Sequence, residues 1–134
     1  MSNSPSDAAE PTGDLTLRTL AMPADANPAG DIFGGWVMAQ MDLAAGMRAT
    51  EVAMGRVVTA GVKEINFRLP VKVGDTLCIY INVVKVGRTS MTLDVQAFAR
   101  RALTSRREKV TEATFVMVAL DEAGKPRPVH PRTA

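Results

Sequence analysis

Residues 27–50 read NPAGDIFGGWVMAQMDLAAGMRAT, and this stretch decides the fold. A turn-prone run of Asn, Pro, Gly and Asp residues leads into the pair Gly34-Gly35. From Trp36 to Ala45 nearly every side chain is apolar or small, which predicts a helix over 35–53 that is buried on all its faces. A helix of this kind gains most of its stability from the elements that pack around it.

Segments with strand character surround the helix. Leucines alternate in the segment before it, and runs rich in Val, Ile and Thr follow it, separated by Gly and Pro. The predicted strands are 15–21, 56–67, 76–86, 89–102 and 110–120. Most connections are too short for parallel crossovers, so the fold class is α+β, with one helix against a largely antiparallel sheet. Because a sheet covers only part of such a helix, the remaining apolar surface is expected to meet another copy of the chain.

The length and composition set the class of protein. The 134 residues predict one domain at 14–121, between a disordered polar leader at 1–13 and a Pro-rich tail at 122–134. A net charge of +2 gives no reason to expect nucleic acid or a membrane surface as a partner. The single cysteine excludes a disulfide framework and fits a reducing cytoplasm. The sequence shows no signal peptide, and the predicted helix is too short to span a bilayer.

Several common chemistries lack their residues. Zinc sites need clusters of His and Cys, but the chain has one of each, His130 and Cys78, far apart in sequence. A Ser-His-Asp triad needs a histidine on a rigid element, and His130 lies in the tail. The glycines before the helix do not have the spacing of a phosphate-binding loop. We therefore expect no metal or redox cofactor.

The remaining candidate site is the helix itself. Its start offers unpaired N–H groups at Gly34 and Gly35, which could stabilise the oxyanion that forms when water attacks a carbonyl group. Asp42, two turns further on, could act as a general base or as a nucleophile. The alternative is structural: the glycines would allow close packing of the helix on the sheet, and Asp42 would reach water or a neighbouring loop.

These residues form part of a pattern that resembles the hotdog-fold acyl-CoA thioesterases, and within them the YciA-type bacterial enzymes. The pattern begins with Asn27-x-x-Gly30-x-x-x-Gly34-Gly35-x-x-Met38-x-x-Met41-Asp42 and extends over about 17–128. Its other parts are Arg56-Val57-Val58-Thr59, Phe67-x-x-Pro70-Val71-x-Val73-Gly74-Asp75, Gly87-Arg88-Thr89-Ser90, Thr111-Glu112-Ala113 and Gly124-Lys125-Pro126-Arg127. No single motif decides the matter, but their order along the chain is specific.

The resemblance implies a fold, a reaction and a set of site residues. The fold would be a five-stranded antiparallel sheet wrapped around a central helix, paired into a dimer with one continuous sheet and often assembled into a hexamer. The reaction would be hydrolysis of acyl-CoA to a free acid and coenzyme A. Asp42 would be the catalytic carboxylate, Asn27 would position water or the thioester from the opposing subunit, and the amides of Gly34 and Gly35 would polarise the carbonyl. The coenzyme A contacts would gather at Gly87, Arg88, Thr89 and Ser90.

Other interpretations stay open for individual residues. Asn27 before Pro28 is typical of a turn, and Arg88 is typical of a solvated turn charge. The basic run that includes Arg100 and Arg101 and ends at Lys109 is typical of a solvated hairpin tip, although it could also bind the 3′-phosphate of coenzyme A. A non-catalytic acyl-CoA-binding module is the alternative function. A hotdog dehydratase is weaker, because those enzymes generally use a histidine.

Overall fold

The computed structural model describes residues 10–130, so Met1–Ala9 of the predicted leader and the last four residues of the tail lie outside the described residues. A short 3₁₀ turn, Pro23–Asp25, precedes the single α-helix of this part of the chain. The elements in chain order are β1 (Asp14–Leu20), α1 (Gly34–Ala53), β2 (Val57–Phe67), β3 (Thr76–Val86), β4 (Ser90–Arg100) and β5 (Arg107–Ala119). The described helix is not long and apolar enough to cross a membrane.

The five strands form one sheet in the order β1-β3-β4-β5-β2, and every pairing is antiparallel. The predicted α+β class is therefore confirmed. The pairs β3–β4 and β4–β5 follow the chain, as strands joined by short connections do. In contrast, β2 pairs with β5, so the connection from β2 to β3 crosses one end of the sheet. The strands β1 and β2 are left at the two edges.

The helix α1 lies on one face of the sheet and is buried only on that side. This differs from the predicted burial on all faces. The buried positions recur at helical spacing and consist of Val37, Met41, Ala44, Ala45, Ala49 and Ala53. The opposite side carries large exposed apolar side chains, namely Phe33 just before the helix, then Met38, Leu43 and Met47, with Met54 just after it. A single sheet reaches only one side of a helix, so the second side needs another partner.

Four strands differ from their predicted bounds: β1 and β2 by one residue, and β4 and β5 by more. β4 covers Ser90–Arg100 rather than 89–102, and β5 begins at Arg107 rather than at residue 110. The early start of β5 has a physical cause, because Arg107 is held in place: its guanidinium lies 5.7 Å above the ring of Phe98 and donates to Glu10 at 2.7 Å. The loop between these strands is accordingly shorter than the predicted basic tip.

The segments next to both ends of the predicted domain pack against it. The Thr12 N–H donates to the Gln96 side chain at 2.8 Å. A side chain at Gly13, where φ is +108°, would clash with the Ile81 carbonyl oxygen, so only glycine fits there. At the other end Val129 is completely buried. The predicted boundaries at 14 and 121 stay predictions, and both segments contribute contacts beyond them.

A buried ion pair joins the β2–β3 connection to the loop after β4. Arg101 donates to Asp75 at 2.6 Å, to Glu108 at 2.7 Å and to the Pro70 carbonyl oxygen at 2.9 Å. The Asp75 carboxylate is 5 % exposed and also accepts two backbone N–H groups, those of Lys72 and Ala102. This pair therefore fixes the crossing connection to the rest of the sheet.

Removing the cation should be costly, because a buried carboxylate would lose its ion-pair partner. We expect Arg101→Leu to lower the free energy of unfolding by about 3 kcal/mol. The matched control is Arg100→Leu, at an exposed neighbouring position, where the loss should stay within about 0.5 kcal/mol. Urea unfolding at one fixed protein concentration measures both. Equal, small losses in the two variants would contradict the structural role of Arg101.

Candidate active site

Asp42 is exposed, so the predicted burial of the helix on all its faces is wrong at this residue. The reason is the packing described above: the sheet covers Met41 and Ala44, whereas Asp42 lies beside the edge strand β2 and Leu43 is exposed. The Asp42 carboxylate accepts a hydrogen bond of 2.5 Å from the hydroxyl group of Thr59 on β2. This short contact fixes one carboxylate oxygen and leaves the other free to face a ligand.

Asp42 and Thr59 line an open groove of about 1070 Å³ between α1 and the two edge strands. Apolar side chains from four elements, Leu43, Met47 and Val58 among them, form much of the wall. Arg48 and Glu51 make an ion pair at 3.4 Å on the helical side. A carboxylate beside an apolar channel can act on the polar end of a ligand while its hydrocarbon part lies on the apolar wall.

The start of α1 presents free backbone N–H groups. The N-cap residue is Phe33, which supplies no side-chain acceptor, and the first turn has no acidic residue. Within residues 10–130 no acceptor is found for the N–H groups of Gly34 and Gly35, which are both exposed. Open space surrounds Gly35, and only the ring of Phe67 approaches Gly34. The helix start can therefore bind the oxygen of a ligand.

Asn27 holds the loop that precedes the helix. Its Oδ1 accepts the backbone N–H of Ala29 at 2.9 Å and that of Asp31 at 3.1 Å. Both partners are donors, so the oxygen must face the loop and the amide NH₂ group must point away from it. The turn interpretation of Asn27 is thus correct, and it leaves a donor available for a ligand.

The β3–β4 turn contains the segment that the resemblance assigned to coenzyme A. The Gly87 N–H donates to the Ser90 carbonyl oxygen at 2.8 Å, and the Thr89 carbonyl oxygen accepts the Ala119 N–H at 3.0 Å. The Arg88 side chain is exposed and has no ion-pair or hydrogen-bond partner among residues 10–130. This turn is held by its backbone and presents one unpaired cation.

The basic run before and within β5 is largely engaged in ion pairs. Arg101 is bound by the Asp75 and Glu108 carboxylates, so we leave it out of the proposed site. Lys109 pairs with Glu112 and holds the pKa of that carboxyl below its ordinary value. Arg100 is exposed. The interpretation as a solvated hairpin tip therefore fits only part of this run.

The structure brings together some of the predicted site residues and not others. Asp42 lines the groove, whereas Asn27, Gly34 and Gly35 lie outside it at the helix start. No separate role was predicted for Thr59 from the sequence. The feature that could have indicated a role for Thr59 is a hydroxyl group at a strand position that faces inward. From Val57 to Gly61 the residues of β2 are alternately half-buried and exposed, and Thr59 is one of the half-buried ones. No group of three or more His, Cys, Asp or Glu side chains in the described part of the chain could hold a metal ion.

Residues 29–104 match the Thioesterase superfamily, and the chain therefore belongs to this family. Within it, the chain is similar to the acyl-CoA thioester hydrolase YciA of Salmonella typhimurium. The two are 49% identical over 122 residues, which cover 89% of this chain and 92% of the relative.

Solved structures share the fold. HI0827, a hexameric broad specificity acyl-coenzyme A thioesterase, superposes with a TM-score of 0.88 at 44% identity over 95% of this chain and 88% of that one. The acyl-CoA hydrolase of Staphylococcus aureus, solved with butyryl coenzyme A and coenzyme A, superposes with a TM-score of 0.77. The two are 31% identical, and the match covers 84% of this chain and 68% of that one. The hotdog fold is thereby confirmed. Variants of the staphylococcal enzyme replace an aspartate, an asparagine fifteen residues before it and a threonine seventeen residues after it by alanine.

The geometry of Asn27 allows its two roles to be separated. Asn27→Ala removes the acceptor of two loop N–H groups, whereas Asn27→Asp keeps an acceptor and replaces the NH₂ donor by a second carboxylate oxygen. We expect amide exchange at Ala29 and Asp31 to rise about fivefold in Asn27→Ala, as for the loss of about 1 kcal/mol of hydrogen bonding. In Asn27→Asp it should stay near the wild-type rate. Hydrogen exchange of the peptide covering 27–33, read by mass spectrometry, makes this comparison, and faster exchange in both variants would refute it.

Proposed function

We propose that this protein is an acyl-CoA thioesterase, in which Asp42 and Thr59 serve the attack on the thioester and a helix start polarises its carbonyl group. Acyl-CoA and water give a free carboxylic acid and coenzyme A. The observation that carries the proposal is the hydrogen bond of 2.5 Å that holds the Asp42 carboxylate at the wall of an apolar groove. The relatives support it, because they are acyl-CoA thioester hydrolases at up to 49% identity.

The spacing of three polar residues also supports the site. The residues replaced in the staphylococcal enzyme follow each other in the same order and at the same intervals as Asn27, Asp42 and Thr59. In this chain the three residues have complementary properties. Asp42 supplies a carboxylate, Thr59 donates to it, and Asn27 offers a free amide donor. A protein that only bound acyl-CoA would not need this combination of groups.

The active site is proposed to be shared between two copies of the chain. Gly35 lies two helical turns, about 10 Å, from Asp42 along the axis of α1, which is a long reach for direct contact of both with one carbonyl group. The side of α1 that carries Asp42 is also the exposed apolar side. A partner that covers Met38 and Leu43 would bring its own helix start and its own Asn27 toward this carboxylate.

The finer features of the site and the assembly follow from this arrangement. The coenzyme A moiety would bind at Gly87–Ser90, where Arg88 meets a phosphate group. Dimers would form on the apolar face and assemble as trimers of dimers, as the hexameric relatives suggest. The cytoplasm is the proposed location, in line with a single cysteine that is buried. The alternative of a binding module predicts coenzyme A binding without turnover.

A screen of acyl-CoA substrates tests the proposed function. The purified protein is incubated with acyl-CoAs of graded chain length, and release of the coenzyme A thiol is followed by a colour reagent. Turnover of at least one chain length above the rate without protein supports the thioesterase. Tight binding of acyl-CoA without any thiol release would instead favour the binding module.

The carboxylate and its hydrogen-bond donor should affect the chemical step. We expect Asp42→Asn to lower kcat by about 10²-fold or more, as for the loss of a general base. Thr59→Val should also lower kcat, whereas Thr59→Ser keeps the hydroxyl donor and should retain most of it. Thiol release at saturating acyl-CoA measures all three variants. Near wild-type turnover of Asp42→Asn would remove this residue from the mechanism.

Subunit mixing tests whether the site is shared. Asn27→Asp and Asp42→Asn should each be nearly inactive alone, because every site lacks one group. If the two groups come from different copies, a mixed dimer has one site with both lesions and one intact site. Co-expression of equal amounts should then restore about a quarter of the wild-type activity, by two-fold counting.

The mixed sample must contain mixed dimers for this result to count, and two different affinity tags on the variants establish that. Tandem purification on both tags should give about half of the wild-type activity per dimer if the protein is a dimer, and about a quarter if it is a trimer of dimers, because unmixed dimers are then retained as well. Background activity in these purified mixed dimers would show that Asn27 and Asp42 act within one copy. That outcome would leave the thioesterase function itself untouched.

A further inference from the structure

The chain after β5 folds back along the sheet and the end of α1. A tight turn closes between Asp121 and Lys125, where the Asp121 N–H donates to the Lys125 carbonyl oxygen at 2.7 Å. The chain then runs beside the end of β5, with a bridge between Leu120 and Pro126. We call residues 126–129 the C-terminal strap. Neither the catalytic groups nor the groove include any of these residues.

The Arg127 side chain joins three backbone carbonyl oxygens. Its Nη2 donates to Ala53, the last residue of α1, at 2.9 Å, its Nε donates to Leu120 at 3.1 Å, and its Nη1 donates to Pro128 at 3.0 Å. A cation at a helix C-terminus also interacts favourably with the helix dipole. The planar guanidinium group can satisfy three acceptors in different directions, and an ammonium group at the end of a lysine cannot reproduce that fork.

Gly55 provides the space for this guanidinium group. A Cβ atom at Gly55 would lie 2.6 Å from Arg127 Nη2, so any larger residue would push the side chain away. The backbone of Arg127 is also fixed, because its N–H donates to the Ala119 carbonyl oxygen at 2.9 Å. The position of Arg127 is therefore determined by β5 through its backbone and by the end of α1 through its side chain.

The strap also reaches the β3–β4 turn. The Val129 N–H donates to the Arg88 carbonyl oxygen at 2.9 Å, and the Val129 side chain is completely buried. The next carbonyl oxygen of the turn, that of Thr89, accepts a hydrogen bond from Ala119. The Arg127 backbone lies between these two contacts. One short segment thus connects the C-terminal end of α1 to the turn that presents the Arg88 cation.

We propose that Arg127 is a positioning residue for the coenzyme A-binding turn: by fixing the C-terminal strap between the end of α1 and the Arg88 backbone, it holds the Arg88 guanidinium where a phosphate group binds. This proposal rests on the proposed thioesterase function and on the binding of coenzyme A at Gly87–Ser90. Arg127 does not line the groove that holds Asp42, so its proposed role is indirect. Its loss leaves the charge of Arg88 in place but frees the turn that carries it, so that binding requires the turn to be ordered again.

Two substrates distinguish positioning from a general structural role. Acyl-CoA carries the phosphate groups, whereas the same acyl group on N-acetylcysteamine has the thioester without any phosphate. We expect Arg127→Met to raise KM for acyl-CoA about tenfold, the equivalent of about one charge-assisted hydrogen bond, with little change in kcat. For the N-acetylcysteamine thioester, kcat/KM should stay within about twofold of wild type, since no phosphate contact contributes to that reaction.

Three further variants make the test specific. Gly55→Ala displaces the guanidinium group without changing Arg127 and should reproduce the higher KM. Arg127→Lys keeps the positive charge but lacks the planar guanidinium group, so its KM for acyl-CoA should also stay above the wild-type value. Lys125→Met removes an exposed cation of the same segment and should leave both substrates unaffected. The double variant of Arg88→Ala with Arg127→Met should be no worse than Arg88→Ala alone, because both changes remove one contact.

The outcomes separate this inference from the function on which it rests. A wild-type protein that hydrolyses no acyl-CoA refutes the proposed function. If hydrolysis occurs and Arg88→Ala raises KM but neither Arg127→Met nor Gly55→Ala does, the positioning role is refuted and the thioesterase stands. Equal losses with both substrates in Arg127→Met and Gly55→Ala would likewise refute it, since they would show a general effect on folding. An unchanged KM in Arg88→Ala would refute the role of the turn, and with it the inference.

Discussion

One helix with two apolar sides and a sheet that can cover only one of them is the constraint on which the rest of this structure depends. The covered side, with Met41 and Ala45, is completely buried. The other side leaves Leu43 at 57% and Met47 at 49% exposed, an arrangement that a monomer in water rarely tolerates over a contiguous surface. Asp42 lies on this second side. The same surface that requires a partner therefore carries the proposed catalytic carboxylate, and with the proposed shared site assembly and activity would depend on one interface.

The fold could be predicted from the sequence where local rules operate. The bounds of β3, 76–86, agree with the structure because the run is rich in β-branched residues and ends in clear turn residues. The position of β2 in the sheet could not be predicted. Short connections identify the neighbours β3–β4–β5, but the pairing of β2 with β5 depends on long-range packing that leaves no local pattern. The start of β5 was missed for a similar reason, since Arg107 is fixed by Phe98 and Glu10, which are distant in sequence.

The candidate site also has features that the local sequence predicts and features that depend on long-range packing. The carboxylate of Asp42 was identifiable because a lone acidic residue interrupts an apolar helix. The environment of this carboxylate could not be predicted, because its burial depends on which side of the helix the sheet covers. Thr59 gave almost no signal, since threonine is common in strands, and only the folded chain shows that its hydroxyl group donates to Asp42. The predicted role of Arg101 rested on charge alone, and the structure shows that a basic residue next to a hairpin can belong to a buried ion pair.

The two ends of α1 differ in whether their backbone groups have hydrogen-bond partners, and the difference fits the proposed chemistry. At the C-terminal end Met54 adopts the left-handed conformation, with φ of +55°, and the guanidinium group of Arg127 satisfies the carbonyl oxygen of Ala53. At the N-terminal end no side chain of the described residues caps the helix, although capping there commonly contributes about 1 kcal/mol. Gly34 and Gly35 keep their N–H groups free at an exposed surface, where a Ser or Asp at the N-cap would occupy them. A helix anchored firmly at one end and open at the other can present its free amides to an oxygen without being displaced by it. The stability lost at the open end is consistent with a site that stabilises negative charge during the reaction.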